Sequence, residues 1–216
     1  SDEEFKKFYS FEEEMLNYFM EHPSANNPVD KNFAIFASGN DGQPLSGYPA
    51  AHQKYISVSA FGPDYLPTSY TNYGPGTNIA APGGDYSINS TSATPQRAQI
   101  LSTLPKELGS GEYGYMQGTS MACPHVSGVV ALALSYAKQL GKTFTYDEFL
   151  AMIYTSVNNI DYYIETCTKM ANGVNFELTP YWRQMGTGAI DTWKFLMNLE
   201  GTPNLVAKIG DESKVS

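Results

Sequence analysis

The sequence holds 216 residues, 42% of them hydrophobic, with 19 Gly and 13 Pro, which fits one turn-rich globular domain, or part of a larger one, with a buried core. Its formal charge of −9, from 22 acidic and 13 basic residues, argues against a nucleic-acid surface, which needs clustered Lys and Arg, and no basic amphipathic stretch suits a membrane surface. The longest apolar run, 129–137, falls well short of the roughly 20 residues that span a bilayer, and two cysteines, Cys123 and Cys167, imply no disulfide framework.

The first 22 residues read as one amphipathic helix. Phe5, Tyr9, Phe11, Met15, Leu16 and Phe19 gather on one side and acids crowd the other. Pro23 and Pro28 stop it. NFAIFAS (32–38), KYISVSAFG (54–62) and TNIAAPGG (77–84) are short apolar runs closing on turn residues, as buried parallel strands do. Between 84 and 112 the pattern gives loop, one short strand in AQILSTL (98–104), then loop. From Thr119 to about Gln139 the chain is apolar nearly all round, which predicts a buried central helix with Pro124 in or near its first turn. A second helix follows over 144–157, capped by Thr145. Residues 158–186 read as irregular, 188–199 as a short closing helix, and 201–216 as a tail or the start of a linker. Strands alternating with long helices predict an α/β fold with a parallel, layered sheet.

The chemistry concentrates in GTSMACPHVSG (118–128). Gly118 permits a strained entry into the helix. Ser120 then lies where free backbone N–H groups and the helix dipole favour a developing negative charge. A serine there is ordinarily an N-cap. The eleven residues together, however, closely resemble the serine signature of the subtilisin-like serine proteases (subtilases), G-T-S-M-A-x-P-H-V-x-G, at every fixed position. NFAIFASGNDG (32–42) resembles the family's strand and turn carrying the oxyanion-hole asparagine, which falls on Asn40. GYPA (47–50), TNYGPGTNIAAPG (71–83) and MGTGAIDTWKFL (185–196) resemble further family segments in the family's order. The likeness covers roughly residues 10–200 and is interrupted by longer loops near 84–97 and 162–184.

The resemblance implies a three-layer α/β/α fold with a mainly parallel sheet. It also implies peptide-bond hydrolysis through an acyl-enzyme, with Ser120 as nucleophile and the Ser120 N–H and Asn40 amide holding the oxyanion. Ala37, Ser38 and Gly39, with Gly47 beneath, would form one wall of the pocket for the residue before the scissile bond (P1). Asp41 at its mouth would favour basic side chains. The family's aspartate and histidine motifs, D-[ST]-G and H-G-T-x-V-A-G, do not occur. His22 follows the first helix and His52 sits in the loop after Ala50. His125, five residues from Ser120, points about 140° away from it around the helix. The chain therefore resembles the C-terminal part of a catalytic domain (1–200), expected to be inactive alone. Its partners would be a peptide substrate and the missing N-terminal part, with homodimerisation of the fragment as an alternative outcome. The family implies a secreted or cell-surface location and no required cofactor. It leaves open a structural calcium, for which the loops around Asp85 and Asp161 are candidates. A non-catalytic peptide-binding domain is the competing reading. A phosphate-binding turn at the helix start is a weaker one, lacking the glycine pattern and lysine of such sites.

Overall fold

A computed structural model describes residues 1–89, 95–108, 111–164 and 168–201; Cys167 and the tail from 202 lie outside them. The opening helix is two helices, α1 (Asp2–Phe8) and α2 (Ser10–Glu21), broken at Tyr9. The Ser1 hydroxyl and the Glu4 carboxylate close a capping box on α1. The expected apolar side is mostly bare. Phe5 and Met20 are buried, whereas Tyr9, Phe11, Met15 and Phe19 are exposed, Phe11 by 68%. Phe5 and Met20 bury with Ala34 and Tyr55, against Leu16 and Phe36, in a small cluster under the two helices. Nothing in the described chain covers the rest of that side.

The sheet follows. Strands β1 (Ile35–Ala37), β2 (Ile56–Phe61) and β3 (Ile79–Pro82) fall inside the three predicted runs and pair in parallel, Ile35 with Ile56 and Val58 with Ile79. As the middle strand of the three, β2 is buried at every position. A hairpin comes next, β4 (Ile100–Thr103) with β5 (Tyr113–Met116) antiparallel; only its first strand was legible in the pattern. Helix α3 (Thr119–Gln139) spans the predicted range. It is followed by α4 (Tyr146–Thr155), whose N-cap Thr145 accepts from the Glu148 amide as expected, and by β6 (Val157–Asn158). The segment expected to be irregular holds α5 (Asp161–Ile164) and a hairpin of β7 (Thr168–Ala171) and β8 (Val174–Glu177). Strand β9 (Ala189–Ile190) and α6 (Thr192–Glu200) close the fold. The main sheet runs β1-β2-β3-β9-β6, parallel except for the β6–β9 pair.

Alternation along the strands divides the two sheet faces. Ile56, Val58, Ala60, Ile79 and Ala81 bury against α3, α4 and α6, where Phe149 meets Phe195 edge-on at 5.1 Å. Phe61 and Ala80 face a second cluster built from Ile160, Ile164, Leu178, Tyr181 and Met185. The expectation that α3 is buried all round fails. One face, Ala122, Val126, Val130, Ala133 and Ala137, packs on the sheet; the opposite face, from Ser127 and Gly128 to Ala131 and Leu132, is exposed, Leu132 by 49%. Its length and composition would suffice to cross a membrane, but its buried side is the centre of this core. Bare α3, bare α2 and the unpaired outer edge of β1 all lie at the same end of the sheet.

Candidate active site

Two elements converge on one point. Strand β1 runs out through Ser38 and Gly39 to Asn40, and α3 begins at Thr119 behind Gly118, which enters the helix at φ 143, a conformation open to glycine. The Thr119 backbone N–H donates to Asn40 Oδ1 at 2.8 Å, and the Thr119 hydroxyl donates to the same oxygen at 2.9 Å. Because a backbone N–H can only donate, this contact fixes which side-chain atom of Asn40 is oxygen. The Nδ2 amide is thereby left free, with no hydrogen-bond partner among the described residues. The Ser120 N–H, one of the orphan donors of a helix start, likewise has none. Ser120 itself is exposed. An exposed hydroxyl thus stands beside two unengaged N–H donors, an arrangement suited to stabilising an anion formed by attack of that hydroxyl on a carbonyl.

Pro124 is the sixth residue of α3, just past its first turn. Its missing N–H leaves the Ser120 carbonyl without an i+4 donor. No hydrogen bond joins Ser120 to a histidine among the described residues. His125 Nδ1 donates to the Met121 carbonyl at 2.8 Å, one turn back on its own helix. His52 is buried between Phe5 and Tyr55, with Nε2 3.7 Å from Glu13 Oε1. His22 stacks on Tyr18. The Cys123 thiol donates to the Ile35 carbonyl at 3.4 Å, and burial pushes its pKa up, which keeps it protonated and unreactive.

Ala37, Ser38, Gly39 and Gly47, the residues expected to wall a P1 pocket, lie together. The Gly47 N–H donates to the Ser38 carbonyl at 2.7 Å, tying the second loop to the end of β1 beside Ala37 and Gly39. Asp41 is exposed on the same turn. Sequence reasoning missed the residue that holds this turn, Asn72. Its buried side chain donates to the Ser38 carbonyl at 3.1 Å and accepts from the Asp41 and Gln43 amides at 3.0 Å each. Thr119, the direct contact of Asn40, was missed too. Asn72 sits in a Thr-Asn-Tyr-Gly stretch that reads as a plain turn, so no local signal marks it.

Of the two calcium candidates, Asp85 does not fit. Asp85 Oδ2 is taken by the Lys169 ammonium at 2.6 Å, which occupies the place a cation would need, and Ser87 donates to Oδ1. Asp161 Oδ1 accepts from the Arg183 amide at 2.7 Å. No cluster of three or more His, Cys, Asp or Glu side chains suited to a metal occurs among the described residues.

Known proteins resemble this chain in sequence and in fold. A family model described as the subtilase family matches residues 6–177. Halolysin of Haloferax mediterranei is 41% identical over 101 residues, 47% of this chain and 16% of that protein. The extracellular basic protease of Dichelobacter nodosus is 38% identical over 115 residues, 53% of this chain and 17% of that protein. Among solved structures, a protease of Pseudoalteromonas arctica PAMC 21717 matches with a TM-score of 0.56 at 25% identity, covering 78% of this chain and 43% of that one. The self-cleaved protease domain of PatA gives 0.57 at 23% identity, covering 86% and 59%; at that identity it speaks for the fold alone. The stretches matched are less than a fifth of these two curated relatives.

Proposed function

Because this chain belongs to the subtilase family, we propose that it is the C-terminal part of a serine endopeptidase catalytic domain, with Ser120 as nucleophile and Asn40 as oxyanion donor. The Ser120 Oγ attacks the carbonyl carbon of the scissile bond. Its proton passes to a histidine supplied by the missing part of the domain and then to the departing amine. The negative charge that forms on the carbonyl oxygen is held by the Ser120 N–H and Asn40 Nδ2, and water later releases the acyl group from Ser120. The observation that carries the reading is the contact of Thr119 with Asn40, which sets both unengaged donors beside the exposed hydroxyl.

The missing part supplies the aspartate and histidine and docks on the open edge of β1, covering α2 and the outer face of α3. Ala37, Ser38, Gly39 and Gly47 wall the P1 pocket, with Asp41 at its mouth. Two of the relatives carry "extracellular" in their names, which supports a secreted or cell-surface parent. The test is labelling of the parent protein by a fluorophosphonate, with Ser120→Ala as control. Absence of labelling at Ser120 overturns the peptidase reading in favour of peptide capture without hydrolysis, the alternative favoured by the lack of a histidine bonded to Ser120.

In the parent, Asn40→Ala should lower kcat by about 10²–10³ with little change in KM, because the donor acts on charge present only in the transition state. That scale is the one known for removal of the equivalent subtilisin donor, and we adopt it. Steady-state kinetics on a peptide substrate checks it; a rise in KM at constant kcat would assign Asn40 to ground-state binding instead.

A further inference from the structure

Two stretches distant in sequence, around Asp85–Ser87 and Thr168–Asn172, meet in the fold. Strand β7 lies against the short helical turn at Tyr86–Asn89, and the Asn172 amide donates to the Ser87 carbonyl at 3.3 Å. They are pinned by a buried charge. Lys169, its side chain 5% exposed, reaches Asp85 Oδ2 at 2.6 Å and Asp64 Oδ2 at 3.4 Å, and Asp85 is fully buried. Removal of Lys169 would leave the fully buried Asp85 carboxylate without its counter-charge, a costly state that ties the two stretches together.

The pinned stretch also touches the approach to Ser120. The Tyr86 N–H donates to Gln117 Oε1 at 2.5 Å, and Gln117 stands three residues before Ser120. The Gly118 N–H donates to the Gly83 carbonyl at 2.9 Å, and the Tyr70 hydroxyl donates to the Gly83 and Gly84 carbonyls. Strand order then gives a direction. Asn40 and the P1 wall end β1, whereas Gly83–Asp85 ends β3, two strands away and so about 10 Å across the sheet. The helix start is thus held from two sides, by Asn40 beyond β1 through Thr119 and by Gly83 beyond β3 through Gly118, and residue 86 belongs to the β3 side, opposite the side that carries the P1 wall. Its ring is exposed, by 39%, while Asp85 and Ser87 on either side are buried.

Building on the peptidase reading, we propose that Tyr86 is a specificity residue for the leaving-group side, receiving an aromatic or aliphatic side chain one or two residues after the scissile bond. Lys169 and Asp85 are positioning residues that act through it. An aromatic face gains from apolar partners and gives nothing comparable to carboxylates.

The test profiles the parent protein and its variants on a peptide library randomised on both sides of the scissile bond. Tyr86→Ala should lose about 2- to 10-fold of the preference for apolar over acidic residues after the bond, with P1 preference unchanged. Tyr86→Phe should retain it, since the ring and not the hydroxyl is used. Lys169→Met should shift the same preference and again spare P1, a split that general loosening of the fold would not produce. An unchanged leaving-side profile in Tyr86→Ala overturns the proposal, as does a shift confined to P1. A parent that hydrolyses nothing overturns the peptidase reading instead. The same library is then read by equilibrium capture, where an unaltered Tyr86→Ala profile again overturns the subsite.

Discussion

The parent protein carrying Ser120→Ala should hydrolyse peptide about 10⁶-fold more slowly than the wild type, with substrate affinity nearly intact. This is the scale of loss when the nucleophile of a subtilisin is removed; the residue left beside the oxyanion donors retains only their contribution and that of binding. Nothing in α3 can substitute. His125 is committed to the Met121 carbonyl, and the Cys123 thiol is committed to Ile35 with its pKa raised. The same assay applied to the 216 residues alone should give no turnover, because no histidine is hydrogen-bonded to Ser120 among the described residues. Peptidase activity from that purified chain, abolished by Ser120→Ala, would show that a base is present within it and would overturn the proposed division of the triad.

Gly186→Ala should be the most damaging of the conservative glycine replacements, lowering stability by about 3–5 kcal/mol, a large part of the 5–15 kcal/mol typical of a folded domain. Gly186 has φ +77, and a Cβ there would stand 2.3 Å from the Asn78 carbonyl carbon and 2.4 Å from the Ile79 nitrogen. Those are backbone atoms at the entrance to β3, so no side chain can rotate away. Relief requires β3 and β9 to separate, with loss of the Ala80–Gly188 and Thr187–Asn78 hydrogen bonds. Gly173, at φ +78 in the β7–β8 turn, has nothing within 4 Å of its would-be Cβ. Its replacement by alanine should cost only the left-handed backbone penalty, about 1–2 kcal/mol. Urea denaturation of the two variants side by side checks the contrast; equal losses would show that conformation and not packing dominates at Gly186.

The parts of the fold that were legible are those where a local pattern meets a global need. β2 reads as a buried strand because it is buried on both sides, and Thr145 reads as a cap because Glu148 stands three residues on. The outer face of α3 and the apolar side of α2 were misjudged for a shared reason. An apolar pattern predicts burial without naming what does the burying, and nothing among the described residues covers these two faces. The β7–β8 hairpin was not legible because its stability rests on Lys169 reaching Asp85, 84 residues away in sequence. Asp85 was read as a calcium candidate for the same reason, since its partner lies beyond any local window. At the site, Ser120 and Asn40 were found through an eleven-residue likeness and a strand-turn pattern. Asn72, which secures that turn, carries no signal of its own, because an asparagine that bonds three backbone groups looks like any other asparagine in a loop.

The strand that leads into Asn40 is one of the two edge strands of the sheet among the described residues. The amide beyond that edge is nonetheless already held by Thr119, so under the proposed division of the domain a half-assembled molecule would lack the base and not the oxyanion donor. On that proposal, hydrolysis would wait for the last step of assembly.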